Sequence, residues 1–409
     1  MKGVIQMSDS KETKPVTELS HRTTGLALAA APNGPRENGQ VESDLTLEQG
    51  NPPVNLTPAE IFGRLAGIGI LLLAVMGGFF YLGGWFSPHE LTQVRFVDGF
   101  EKVNGLHPGF RRNHAKGLPV TGFFESNGKG TQISKAVVFL PGRVPVIGRF
   151  SLGTGDPDQA DAPGVPRGLG IDYQMPDGEE WRTTMINLPV FLFKDPQAFY
   201  DNMIASAPDP VTHQPDPAKQ AAFMASHPEA VHALEVFKSK EPSSGFDNTT
   251  FYGLTAFIFT NGEGNATPVR WTLVPEQLYV AASTAAPPAP GDKNYLFNGV
   301  TASILQHPLK WHLILTLGQP GDPTNNSTSE WPEGREQVDV GTLTLNTVEA
   351  EETSQTRVVN FDPLVLPAGI SPSDDPLLSA RSGVYSESFT RRAGEEPEPS
   401  AVKSADIRK

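Results

Sequence analysis

The first 56 residues hold few large apolar side chains and many Asn, Glu, Thr, Ser and Pro. Such a stretch cannot bury enough apolar surface to offset its ordering entropy, so residues 1–56 are predicted to be a disordered polar tail. The pattern then changes abruptly. Thr57-Pro58-Ala59-Glu60 reads as a helix start: Thr57 can cap, Pro58 suits the first turn, and Glu60 completes a capping box. Residues 65–86 follow, 22 positions without a charge, with Tyr81 and Trp85 near the end. At helical rise this length crosses a hydrocarbon core, and the aromatic side chains suit the interface. Residues 57–87 are therefore expected to form one transmembrane helix. A buried helix of a soluble domain fits an uncharged run of this length less well. A cleaved signal peptide fits worse still, because the run starts far from the N-terminus and lacks a small-x-small exit.

From about residue 88 the pattern becomes globular. Residues 116–124, 135–140, 144–152, 251–260, 269–274, 309–317 and 338–345 read as strands. In one of them Trp311, Leu313, Leu315 and Leu317 alternate with His312 and Ile314, which marks one buried face. Asn261-Gly262-Glu263-Gly264 reads as a hairpin turn. Helices are predicted over 196–206 and 217–239. No internal repeat is present. Many strands at hairpin spacing predict an α+β domain over 88–393, an antiparallel β-barrel core with added helices, followed by a flexible tail over 394–409.

Composition narrows the function. The chain has 409 residues, 38% of them apolar, and a formal net charge of −14 without a clustered basic patch. That excludes a nucleic-acid-binding face. Cysteine is absent, so thiolate metal sites, disulfides, iron–sulfur clusters and Cys nucleophiles are excluded. The flanking charges, Arg64 before the span and Arg95 and Lys102 after it, decide orientation weakly. Because long domains escape the positive-inside rule, the tail is expected in the cytoplasm and the large domain outside it.

Three segments carry candidate chemistry. They are Arg111-Arg112-Asn113-His114-Ala115-Lys116-Gly117; Arg149-Phe150-Ser151 with Arg167-Gly168; and Phe361-Asp362-Pro363, Pro367-x-Gly369-Ile370, Pro372 and Arg381-x3-Tyr385. Singly, each has an ordinary structural reading: a lone His in a strand, an Arg in a surface ion pair, an i,i+4 pair on a helix. Asp374-Asp375 reads as solvated carboxylates in a turn, and His227 and His232 lack metal-ligand spacing. Gly153-x-Gly155 and Gly262-x-Gly264 read as turns.

Together the segments resemble the catalase superfamily, in its order, over about residues 95–392. His114-Ala115-Lys116-Gly117 resembles the family's distal-histidine segment, and Arg149-Phe150-Ser151 its RFS strand. Pro189-Val190-Phe191 with Asp195-Pro196-x2-Phe199, Trp331-Pro332-x-Gly334, and Val340-Gly341-x-Leu343-x-Leu345-Asn346 follow. Phe361-Asp362-Pro363 through Tyr385 is similar to the proximal segment.

The resemblance implies haem b with Tyr385 as axial iron ligand. Arg381, one helical turn earlier, would favour the phenolate. It implies His114 as the distal acid–base group, Ser151 orienting it, Phe199 near the porphyrin, and Arg111, Arg149 and Arg392 on the propionates. Two departures matter. Where the family has G-N-N-T-P, this chain has Met185-Ile186-Asn187-Leu188-Pro189, so Ile186 falls on the catalytic amide unless the match shifts by one; Asn187 remains an open candidate. Ser386-Glu387-Ser388-Phe389 replaces the family's P-D-T-H. The match leaves out the long N-terminal arm and the C-terminal helical region of larger catalases, which resembles the smaller catalase-related peroxidases. The expected function is reduction of hydroperoxides, organic ones above all, with an electron donor. Alternatives are a true catalase, a lipid-hydroperoxide-transforming enzyme on the same core, and a membrane-tethered haem-binding protein without activity. Oligomeric state, peroxide and donor stay open.

Overall fold

The computed structural model describes residues 56–82, 90–209 and 211–403. The polar tail, Leu56 apart, lies outside the described residues, as do 83–89 and 404–409. Helix α1, Pro58–Leu82, opens with the expected capping box: Thr57 N donates to Glu60 Oε2 at 2.8 Å and Glu60 N to Thr57 Oγ1 at 3.4 Å. It is long and apolar enough to cross a membrane by length and composition.

The large unit is built on eight antiparallel strands: β1 (Gly117–Ser126), β2 (Gly142–Leu152), β3 (Arg167–Gln174), β4 (Glu180–Ile186), β5 (Phe251–Thr260), β6 (Ala266–Pro275), β7 (Leu309–Leu317) and β8 (Gln337–Val348). Each pairs with its sequence neighbours, and β8 pairs with β1. A single pairing, Ile186 with Tyr252, joins β4 to β5 and closes the barrel. A short β9, Ile370–Pro372, adds to β5. Closure removes the free edges that eight strands would otherwise expose. Period-2 alternation points Phe150, Leu169, Trp181, Phe257, Trp271 and Trp311 into one core. Trp311, Leu313 and Leu315 are fully buried, as the alternation predicts.

Helices pack outside the barrel: α2 (Gln93–Asn104), α3 (Pro196–Ala205), α4 (Pro217–Ser226), α5 (Pro228–Lys238), α6 (Tyr295–Gln306) and α7 (Pro376–Ala393). The helix predicted over 217–239 is two helices. Pro228 lacks an N–H and disfavours helical backbone at His227, where the break falls. The strand predicted over 135–140 is a 3₁₀ turn, Val137–Phe139. Ala136, Val138 and Phe139 are all buried, so the apolar run marks burial without strand alternation. Asp375 is not a solvated turn carboxylate: it is buried and caps α7, accepting from Leu377 N at 2.9 Å. The chain after Gly394 also departs from the flexible tail expected there. Over 394–403, Glu395 accepts from Gly109 N and pairs with Arg112, Asn294 Nδ2 donates to Ala401 O, and Val402 is buried.

Candidate active site

The barrel's outer face carries the chemistry. Phe150 and Leu152 point inward, so Arg149 and Ser151 point outward. Antiparallel register aligns two outward rows across the strands. One runs Gly117–Ser151–Gly168–Ile186, the other Pro119–Arg149–Gly170–Thr184. Gly168 and Gly170 leave a trough where β3 has no side chains. A Cβ on Gly168 would sit 2.8 Å from Ser151 Oγ and 3.0 Å from the His114 ring; one on Gly170 would meet the Phe361 ring at 3.0 Å. The trough is therefore roofed by His114 at one end and Phe361 at the other.

His114 lies in the loop before β1, in the left-handed region at φ 57°. Its Nδ1 is 2.9 Å from Ser151 Oγ. Burial, then the charges of Arg149, Arg381 and Arg111, pulls the imidazole down to about 4. It is therefore neutral near pH 7 and can accept a proton at Nε2.

Each residue of the surrounding segment has a structural reason. Lys116 is buried and ion-paired to Asp161 at 2.7 Å, and it also donates to the Gln159 and Lys293 carbonyls. Gly117 makes room for a guanidinium: a Cβ there would lie 2.2 Å from Arg149 Cζ. Arg149 donates to the His114 and Ala115 carbonyls, each at 2.8 Å, and from Nε to both Glu351 oxygens at 2.9 and 3.0 Å. Arg111 also pairs with Glu351, at 3.1 Å. Burial first, then Arg149 and Arg392, holds Arg111 well below the usual guanidinium range. Burial, then Arg149, moves Arg392 down to about 10. Three guanidiniums thus share one carboxylate.

On α7, Arg381 and Tyr385 stand one turn apart on a common face. Arg381 donates to Thr184 Oγ1 in the outward row of β4, and Ser382 Oγ donates to Asp362 Oδ2 at 2.6 Å. Arg391 fastens the helix to α2 through Asp98 and Glu101.

The fold therefore gathers His114, Ser151, Arg111, Arg149, Arg381 and Arg392. Asn187 stands apart: its Oδ1 accepts from Arg167 N at 2.8 Å, and its own N–H donates to Arg167 O. Ile186 takes the place in the outward row. Phe199, on α3, stacks on Phe193 with centroids 4.9 Å apart and meets Phe96 and Phe100 edge-on. It lines a cavity of about 380 Å³ with Phe100, Asn104, Asn113 and Thr154, beside the His114 segment. Sequence reasoning missed Glu351 and Asp161, since a solitary carboxylate in a loop carries no local signal. It also missed β3 as a strand and Gly170 on it, although Arg167-Gly168 fell within a candidate segment. Among the described residues no cluster of His, Asp and Glu is arranged to hold a metal ion.

The family model described as Catalase matches residues 87–403. A catalase-related peroxidase of Synechococcus elongatus is 37% identical over 310 residues, covering 75% of this chain and 90% of the relative. One of Mycolicibacterium paratuberculosis is 32% identical over 309 residues, covering 74% and 96%. Catalase A of Saccharomyces cerevisiae superposes with a TM-score of 0.64 at 21% identity, covering 74% of this chain and 64% of that one, so the chain spans under two thirds of that solved catalase. The chain belongs to the catalase family, and with relatives matched over nine tenths of their length it is an oxidoreductase acting on peroxide.

The family implies a haem cofactor. The residues present fit one. Gly168 and Gly170 let the His114 and Phe361 rings lie against β3, and two positive charges left over from three arginines and Glu351 suit the two carboxylates of a haem.

Proposed function

We propose that this chain is a haem b peroxidase that reduces hydroperoxides, organic ones above all, at the expense of a separate electron donor. Tyr385 would hold the iron, with the Arg381 guanidinium favouring its phenolate. Arg111, Arg149 and Arg392 form the positive edge that receives the haem carboxylates. Bound haem supplies the redox equivalents for cleaving the O–O bond.

The protein's own task is proton movement. His114, kept neutral, takes the peroxide proton at Nε2 while Ser151 holds Nδ1. It then returns that proton to the departing oxygen, which leaves as water or an alcohol. Phe199 and Phe100 give the cavity an apolar wall suited to an organic substituent, and Asn113 a polar one.

The observation that carries the peroxidase reading over a true catalase is Ile186. It stands in the Ser151–Gly168 row while the Asn187 amide is engaged with Arg167. An apolar side chain cannot hydrogen bond a second peroxide acting as reductant, so disproportionation suffers more than peroxide cleavage. The test compares oxygen release from hydrogen peroxide with oxidation of an aromatic donor by an organic hydroperoxide. Donor oxidation is expected to dominate and to fall about 10²–10⁴-fold in His114→Ala. Vigorous oxygen release with little donor oxidation identifies a catalase instead. We further propose that α1 anchors the chain in a membrane as a single span, with the haem domain on the extracytoplasmic side. The support for the span is the charge-free run of α1 from Leu65 onward; the orientation rests on the freedom of long domains from the positive-inside rule.

A further inference from the structure

We propose that Glu351 is the positioning residue of the distal histidine: through Arg149 it holds the His114–Ala115 backbone in the turn that lays the imidazole over Gly168. This rests on the peroxidase reading above.

The argument starts from a backbone that resists its own conformation. His114 has φ 57°, where an L-residue's Cβ crowds the neighbouring carbonyl. Local bonds support the turn: Asn113 Oδ1 accepts from His114 N at 3.0 Å, and Ala115 N donates to Thr154 O at 2.9 Å. The carbonyls of His114 and Ala115 converge on one planar guanidinium, at 2.8 Å to Arg149 Nη1 and Nη2. A planar fork fixes direction as well as distance, provided the fork itself cannot turn. Glu351 prevents that. Its two oxygens lie 2.9 and 3.0 Å from Nε, on the edge opposite the carbonyls.

Glu351 is itself held. It accepts from Arg111, whose Nη2 also donates to the Thr356 and Val359 carbonyls at 2.7 and 3.3 Å. Its charge matters as much as its shape. Arg111, Arg149 and Arg392 repel one another, and Glu351 pairs with two of them. Without that carboxylate, Arg149 loses its ion pair and keeps from these bonds only the neutral carbonyls of His114 and Ala115. Gly117 leaves space for the guanidinium, which is buried against it and oriented by these bonds. Loss of Glu351 should therefore move His114 without touching it.

The experiment uses haem-loaded wild type, Glu351→Gln and Glu351→Ala, with cyanide as probe. Hydrogen cyanide binds iron as the anion, so its association rate reports a base correctly placed to take its proton. Haem content is expected to stay within about twofold of wild type, while cyanide association slows about tenfold or more in Glu351→Ala and less in Glu351→Gln. Wild-type association rates in the haem-containing fraction of the variants overturn the proposal, whatever the haem content. Glu351→Gln, nearly isosteric, decides the matter if Glu351→Ala does not fold. If wild type takes up no haem, the peroxidase reading fails, and hydrogen exchange then tests the clamp alone. Faster exchange of the Ala115 amide in Glu351→Gln supports it; equal exchange overturns it.

Discussion

His114 combines an unfavourable backbone with an imidazole that resists protonation, and both features serve one chemistry. Burial and three nearby guanidiniums bring its pKa down to about 4. A depressed pKa keeps the base available as acidity rises. Donor oxidation is therefore expected to stay level from neutrality down to about pH 5 and to fall only as the pH nears 4; an inflection near 6.5 in initial rates would mean a solvated histidine. The stability consequence has the matching sign. The unfolded chain takes up a proton near 6.5 and the folded one near 4, so this histidine's contribution is fully present above 6.5 and is lost as pH falls towards 4. Tyr385 makes the second prediction at this scale. Tyr385→Phe removes the only oxygen of that side chain and is expected to lose haem or the absorption bands of a phenolate-ligated iron. Unchanged haem content and spectrum would remove Tyr385 from the iron.

Strand β3 shows why the elements around the site were the hardest to foresee. It is buried on both faces and carries two glycines and Asp172 among its apolar residues, so the alternation that marked β7 is missing. The glycines that hide it as a strand are what open the trough. At the neighbouring end of β1, Lys116 and Asp161 form an ion pair whose side chains are 1% and 0% exposed. Asp161 Oδ2 also accepts from Leu296 N at the start of α6, so the pair ties the loop beside the cavity to that helix. Breaking one partner strands the other's charge in the core. Asp161→Asn is expected to cost about 3–5 kcal/mol, read as a lower urea midpoint at unchanged slope. An unshifted midpoint would mean the pair adds nothing to the fold.

At the scale of the whole chain, an apolar helix precedes a peroxide-handling domain. Phe62, Leu65, Leu73 and Phe79 are all more than 60% exposed on α1. Isolated water-facing side chains of this kind are ordinary on a soluble surface, but with Ile70, Leu71 and Tyr81 also exposed this helix is apolar on every side, which calls for another solvent. The full chain is expected to require detergent, and one starting at Ser87 to stay in the soluble fraction after centrifugation. Full-length protein that remains soluble without detergent would exclude the span.

The sequence by itself determined the capped start of α1, the inward face of β7 and the ordered motifs that marked the family. These are local properties: a cap reads three residues, an alternating strand reads its own two faces. It also named His114, Ser151, Arg381 and Tyr385, because they fall within short segments. Only the tertiary structure decided which groups meet. Register placed Ile186, not Asn187, in the row with Ser151, and a one-residue slip would have reversed that face. Arg149 and Glu351 are 202 residues apart in the chain. No local pattern pairs a carboxylate with a guanidinium over that distance; closing the barrel does.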